Sequence, residues 1–307
     1  MQIHYGADNI HIINPVVTIG SFDGVHKGHV QVIEGLKKCA SKLKGESVII
    51  SFDPHPREVL YPLEKRPGIL TTLQEKEEIL SSYGVDHLII LKFTETLAHL
   101  PYDDFVRYIL IDKVGMKGLV VGYDHRFGKD RKGNFDSLRL LSEKYHFYLE
   151  QEEPYEENRI NISSTKIRTA LEVGDIATVK DFLGYYYSIS GIVVHGDKIG
   201  RSIGFPTANI QVDDERKLLP ASGVYAVKVY VAGCEYKGML NIGVRPTVSR
   251  SGVVRLEVNI FDFSEDIYNM PITVSLVSRI RGERKFENVD ELRRQLEMDK
   301  LSVQLHF

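Results

Sequence analysis

The run Gly20-Ser21-Phe22-Asp23-Gly24-Val25-His26-Lys27-Gly28-His29 stands between an apolar segment, Val16-Val17-Thr18-Ile19, and the helical spacing of Ile33, Leu36, Ala40 and Leu43. Three glycines let the backbone approach a ligand closely where a strand passes into a helix. The helix start beyond them offers free N–H groups and positive potential to an anion. His26 and His29 bracket Gly28, and both imidazoles can donate to phosphate oxygens. Strand, glycine turn and helix in this order predict an α/β domain with a site suited to a nucleoside triphosphate.

Working outward, strands and helices keep alternating. Ser47-Val48-Ile49-Ile50-Ser51-Phe52 reads as a buried parallel strand, stopped by Asp53-Pro54-His55-Pro56. A helix is predicted over 72–83, a strand over 86–93, a helix over 101–114 and a strand at Gly118-Leu119-Val120-Val121-Gly122. Such alternation implies a parallel sheet with helices on both faces, and ligands bind at the carboxyl edge of such sheets. Two loops fall on that edge: the one carrying His55, and 122–133, with Asp124, Lys129 and Lys132. The second is not a P-loop. Five residues separate Gly122 from Gly128, and Asp130 follows Lys129 where Ser or Thr is needed. At Ile162-Ser163-Ser164-Thr165-Lys166-Ile167-Arg168, hydroxyls precede a helical pattern, which suits both capping and phosphate binding.

Near residue 184 the pattern changes to β. Strands are predicted over 186–194, 224–231, 236–242, 254–261 and 272–279, followed by a helix with Val289, Leu292 and Leu296 at helical spacing. Several antiparallel strands in a segment this short predict a small closed barrel, which leaves no free edge. Two domains follow, 1–183 and 184–307.

Composition narrows the function classes. At 307 residues the chain is long enough for two cores, and 43% hydrophobic with 26% charged residues is ordinary for a globular protein. A net charge of −3 gives no basic field for nucleic acid. Cys39 and Cys234 fall in different domains and are expected to be free thiols in a reducing compartment. The start, Met1-Gln2-Ile3-His4-Tyr5-Gly6, lacks a basic region followed by an apolar stretch, and no apolar run reaches membrane-spanning length. The expectation is a cytoplasmic enzyme without a membrane or nucleic-acid partner.

Gly-x-Phe-Asp-Gly-x-His-x-Gly-His resembles the signature of the HxGH nucleotidylyltransferases in the form carried by bacterial FAD synthetases. Alone, it leaves cytidylyltransferase and pantetheine-phosphate adenylyltransferase relatives open. A second resemblance decides between them. Gly196-Asp197-Lys198-Ile199-Gly200-Arg201-Ser202-Ile203-Gly204-Phe205-Pro206-Thr207-Ala208-Asn209 resembles the riboflavin kinase signature. Pro220-x-x-Gly223-Val224-Tyr225-Ala226, Asn241-Ile242-Gly243-Val244-Arg245-Pro246-Thr247, Leu256-Glu257-Val258-Asn259-Ile260 and the segment 281–286 also match that pattern.

The two resemblances imply the bifunctional riboflavin kinase/FMN adenylyltransferase family: a Rossmann-like nucleotidylyltransferase domain followed by a riboflavin kinase-like antiparallel barrel with a terminal helix. They imply ATP as co-substrate, Mg²⁺ at both sites, riboflavin and FMN as substrates and FAD as product. For adenylyl transfer they imply His26 and His29 as catalytic residues. ATP would be held by Gly20, Phe22, Asp23, Gly24, Gly28, His55, Asp124, Ser164, Thr165 and Arg168. For the kinase they imply Glu257 as base. Gly196, Lys198, Gly200, Arg201, Gly204 and Pro206 would lie along ATP and flavin, with Thr207 and Asn209 as hard oxygen ligands for Mg²⁺. Alternation sets Glu257 on the opposite face from Leu256, Val258 and Ile260. Three positions depart from the family pattern. His125 stands where Phe is usual, Asn259 where His is frequent, and Asn269 where Gly follows the tyrosine. Two other readings compete: a barrel that binds flavin without turnover, opposed by the intact Thr207, Asn209 and Glu257, and an RNA-binding protein, opposed by the charge balance.

Overall fold

The structure, a computed structural model, describes residues 1–307 apart from 124, 130–131, 158–159, 197–199, 201–203 and 246–252. Asp124, Lys198 and Arg201 therefore lie outside the described residues. The chain forms two compact units, Met1–Ser164 and Thr165–Phe307.

The first unit runs β1 (Gln2–Tyr5), β2 (Val16–Ile19), α1 (Lys27–Lys42), β3 (Ser47–Asp53), α2 (Pro56–Leu60), α3 (Leu73–Ser82), β4 (His87–Lys92) and α4 (Glu95–Ala98). Then come α5 (Tyr102–Asp104), continuing as a π-helix over Phe105–Lys113, β5 (Gly118–Gly122), α6 (Phe135–Tyr145), β6 (Tyr148–Glu152), and a short pair, β7 (Glu156–Glu157) and β8 (Ile160–Asn161). Six parallel strands take the order β1-β4-β3-β2-β5-β6. Apolar residues on successive strand positions feed opposite faces. Val17, Ile19, Val48 and Ile50 pack with the π-helix and α6, while Val16 and Ile49 pack with Ile33, Leu36 and Leu80 of α1 and α3. The strand order reverses between β2 and β5, so a crevice opens at their carboxyl ends, where the Gly20–His29 turn lies.

Several elements differ from the sequence expectation, which held no helix for α2, α6 or, below, residues 176–183. The segment expected as one helix over 101–114 is largely π-helical, with Val114 N–H donating to the carbonyl of Ile109 at 3.0 Å. β1 and β6, the two edge strands, had no apolar run to reveal them, because edge strands bury little.

The second unit takes α7 (Ser164–Val173) from Thr165 onward and continues with α8 (Ile176–Leu183). β9 (Ser188–Val194), β10 (Ala208–Val212), β11 (Gly223–Val231), β12 (Cys234–Arg245), β13 (Val253–Ile260) and β14 (Pro271–Gly282) close an antiparallel barrel in the order β10-β13-β12-β11-β14-β9. The compact units divide earlier than the change of pattern near 184 because α7 and α8 pack on this barrel. Ala221 N–H donates to the Leu171 carbonyl at 2.9 Å, and the Arg279 guanidinium donates to the Val173 carbonyl at 3.0 Å. α9 (Val289–Gln304) covers Val224, Ala226 and Met239 on the outer barrel surface through Leu296 and Val303. A bidentate pair anchors it, with Arg281 Nη2 2.7 Å from Asp299 Oδ2.

Candidate active sites

In the first unit the turn after β2 is held in a strained backbone. Phe22, Gly24 and Val25 have φ of 46°, 82° and 32°, a region that bulky and β-branched residues rarely occupy. Asp23 braces it. Its Oδ1 accepts from the N–H groups of Leu70 at 2.8 Å and Thr71 at 3.1 Å, and Gly24 N–H donates to the Thr71 hydroxyl at 3.1 Å. The Ser164 hydroxyl, at the end of the same unit, donates to the Asp23 carbonyl at 2.9 Å.

His26 is the N-cap of α1, its Nδ1 accepting from His29 N–H at 3.3 Å. The two imidazoles stack with centroids 3.7 Å apart, and Phe22 lies 5.0 Å from the His29 ring. Burial, then His26 and Lys76, push the pKa of His29 well below the ordinary histidine value. Among the described residues, its Nδ1 has no hydrogen-bond partner. A neutral ring with an unused polar atom at a helix start is ready for a ligand. The glycines keep this space clear: a Cβ on Gly28 would sit 3.2 Å from His26 Nδ1, and one on Gly20 3.1 Å from the Phe22 ring.

His55 caps α2, accepting from Arg57 N–H at 3.1 Å, while Glu58 accepts from the His55 N–H at 3.0 Å. Thr165 and Arg168 continue α7 into the second unit, where Arg168 is buried.

The barrel builds its site by register. Asn209 on β10 lies directly opposite Glu257 on β13, which lies opposite Asn241 on β12. Cross-strand partners share a face, so these three polar groups form a row on the outer surface. The neighbours Leu256 and Val258 are buried, as alternation predicted. A Cβ on Gly196 would overlap the Asn209 amide, and one on Gly200 would overlap the Phe205 carbonyl and come within 3.5 Å of the Thr207 hydroxyl. Gly204, with φ of 86°, takes the left-handed turn before Phe205. A cavity of about 380 Å³ is lined by Pro206, Thr207, Ala208, Val258, Phe263 and Tyr268, among others; Thr207 faces it, whereas Asn209, Glu257 and Asn241 do not line it.

A profile of the FAD synthetase family matches residues 10–166, and a riboflavin kinase profile matches residues 183–307. The bifunctional riboflavin kinase/FMN adenylyltransferase of Buchnera aphidicola subsp. Acyrthosiphon pisum is 39% identical over 311 residues, covering 100% of this chain and 98% of the relative. Its namesake in Escherichia coli K12 is 39% identical over 294 residues, covering 95% and 92%. The chain belongs to the bifunctional riboflavin kinase/FMN adenylyltransferase family. A crystal structure of a Streptococcus pneumoniae protein described as a macrolide-efflux protein shares the fold, with a TM-score of 0.89, 33% identity and coverage of 99% and 98%. Among the described residues of this chain, no helix is long and apolar enough to cross a membrane.

The departures from the family pattern have local explanations. Asn269 has φ of 63°, a left-handed conformation that Asn tolerates better than other residues with side chains. Asn259 Nδ2 donates to the Pro206 carbonyl at 2.7 Å and so steadies the segment bearing Thr207 and Asn209. His125 packs its ring 5.5 Å from Phe127.

The sequence pattern includes Asn241 in a matching segment without giving it a role, and it gives Lys76 none. Asn241 becomes visible only once β12 is set in register with β13. Lys76 left a trace, since its spacing from Leu73 and Leu80 puts a charged residue on the core-facing stripe of α3.

Proposed function

We propose that the chain makes FMN and then FAD, with one site in each unit. The barrel transfers the γ-phosphoryl group of ATP to the ribityl 5′-hydroxyl of riboflavin, giving FMN and ADP. The first unit joins FMN to the AMP part of another ATP, giving FAD and pyrophosphate. One observation carries this reading: each family profile covers a unit whose motif residues converge, His26 with His29 at a helix start and Asn209 with Glu257 in register.

In the barrel, Glu257 accepts the proton of the riboflavin hydroxyl as that oxygen attacks phosphorus. Thr207 and Asn209 offer a hydroxyl and an amide oxygen, neutral hard donors beside a carboxylate. They fit an Mg²⁺ that arrives with nucleotide phosphates rather than one caged by protein alone. Such an ion offsets phosphate charge during transfer. Gly196, Lys198, Gly200, Arg201 and Gly204 wrap the phosphates with backbone N–H groups and fixed cations, and Pro206 walls the adjoining cavity.

In the first unit FMN brings its own anionic nucleophile, so no strong base is needed. His26, His29, Ser164, Thr165 and Arg168 hold the triphosphate and stabilise charge building on the leaving pyrophosphate. Gly20, Phe22, Asp23, Gly24 and Gly28 shape the turn. His55 and Asp124 contact nucleotide from the neighbouring loops, and Mg²⁺ accompanies ATP here too. The functional division is placed at 1–183 and 184–307.

Incubation with riboflavin, ATP and Mg²⁺, followed by chromatographic separation of flavins, should show FMN and then FAD. FAD from supplied FMN, without FMN from riboflavin, would reduce the barrel to a binding module.

A further inference from the structure

Lys76 on α3 is only 5% exposed, although lysine is rarely so buried. Its Nζ donates to the Ser51 hydroxyl at 3.3 Å, and that hydroxyl donates to the Ser21 carbonyl at 3.2 Å. Ser21 belongs to the strained turn that leads to His26 and His29. The segment just before α3 grips the same turn through Leu70, Thr71 and the Asp23 carboxylate. Residues 70–76 therefore form the bed on which the nucleotide turn rests. A buried ammonium is costly to desolvate, and a methionine would satisfy packing between Leu73 and Leu80 more cheaply.

We propose that Lys76 is a positioning residue for adenylyl transfer, fixing the Ser21–His26 turn through Ser51 and setting its ammonium beside that turn. The charge also helps keep the His29 ring neutral, together with burial and the stacked His26. A neutral ring presents one N–H donor and one acceptor rather than two donors, so Lys76 supplies cationic character that His29 then need not. The inference rests on the adenylyl site described above.

The test uses the full chain with Lys76→Met, Lys76→Arg and Ser51→Ala. FAD formation from FMN and ATP is followed from about pH 6 to about pH 9, and the His29 ring is titrated by NMR. Lys76→Met should slow FAD formation by roughly 10- to 100-fold and move the His29 titration up toward the ordinary histidine range. Lys76→Arg should restore most of the rate and the low His29 titration. Ser51→Ala cuts the relay but keeps the charge, so it should slow the reaction and leave His29 unmoved. A folded Lys76→Met with unchanged His29 titration and pH profile overturns the proposal. Should that variant not fold, a Ser51→Ala protein with the parent rate overturns it equally. A parent that makes no FAD overturns the site reading itself, before any variant is compared.

Discussion

Between β2 and α1, three of four consecutive residues, Phe22, Gly24 and Val25, have left-handed backbone, whereas Asn209, Glu257 and Asn241 of the barrel sit on regular strands in register. The first site aims its side chains by strain. Each non-glycine residue in that region costs about 1–3 kcal/mol, and the bonds from Leu70, Thr71 and Ser164 to Asp23 hold the turn in place. The second site aims its side chains by periodicity, since neighbouring strands set three polar groups side by side at no local cost. A braced turn fails when one brace or one ring is removed. A registered row keeps its geometry under point substitution and loses only the chemistry of the altered group.

Glu257→Gln is the strongest test of that contrast. The amide fills the same place in the row but cannot take a proton, so FMN formation should fall by ~10²–10⁴-fold. The low end applies if transfer depends mainly on positioning and metal charge. FAD formation from added FMN should be unchanged. A folded variant that phosphorylates riboflavin within about twofold of the parent would remove Glu257 as the base. His29→Ala should act on the other side only, cutting FAD formation by ~10²–10³-fold as one preorganised donor is lost. Riboflavin phosphorylation serves as the internal control, and equal loss of both activities would show that the two sites are not independent.

The same contrast explains what could be read in the sequence. Strand alternation was enough to turn Glu257 away from Leu256 and Val258, because period two is a property of the strand itself. The partners Asn209 and Asn241 come from other strands, and register across a barrel is set by long-range pairing. On the first side, Gly20–His29 announced its strand, turn and helix, and the spacing named both histidines. The brace from Asp23 to Leu70 and Thr71 spans 47 and 48 residues of sequence, so no local pattern could show it. His55 was legible only as a candidate ligand beside a proline-bounded turn; that it caps α2, accepting from Arg57 N–H, came from the structure.

Asn259→Ala asks whether the registered row is as self-sufficient as it looks. The substitution removes the donor to the Pro206 carbonyl; Pro206 is exposed, so water can replace the donor and the loss should be about 0.5–1.5 kcal/mol. The barrel should melt earlier, and the apparent affinity for ATP in riboflavin phosphorylation should weaken, with kcat less affected. A change in kcat alone would mean that Asn259 acts on the chemistry rather than on the Pro206–Asn209 segment.

The smallest effect expected is one of pH on stability, and it should fall on the first unit. His29 is held below its ordinary pKa of 6.5, chiefly by burial, so the unfolded chain binds the proton more readily than the folded one. Where the unfolded state binds more protons, stability rises with pH. Its contribution is therefore complete above 6.5 and is lost as pH falls from there toward the lower folded value. His4 is shifted the same way, by burial and then by His87, and adds to the trend. In the barrel, Asp214 is held below its ordinary 3.8, first by the hydrogen bond from Arg216, so its contribution is lost only in stronger acid. Glu152, raised by burial and by Glu150, opposes the trend near its ordinary 4.5. Melting curves between about pH 7.5 and about pH 5.5 isolate the histidines. His29→Phe keeps a ring against His26 and Phe22 but cannot titrate. The parent should lose melting temperature across this window faster than the variant does. Parallel curves would show that His29 takes up its proton as easily folded as unfolded, and the neutral, ligand-ready ring at the α1 start would have to be abandoned.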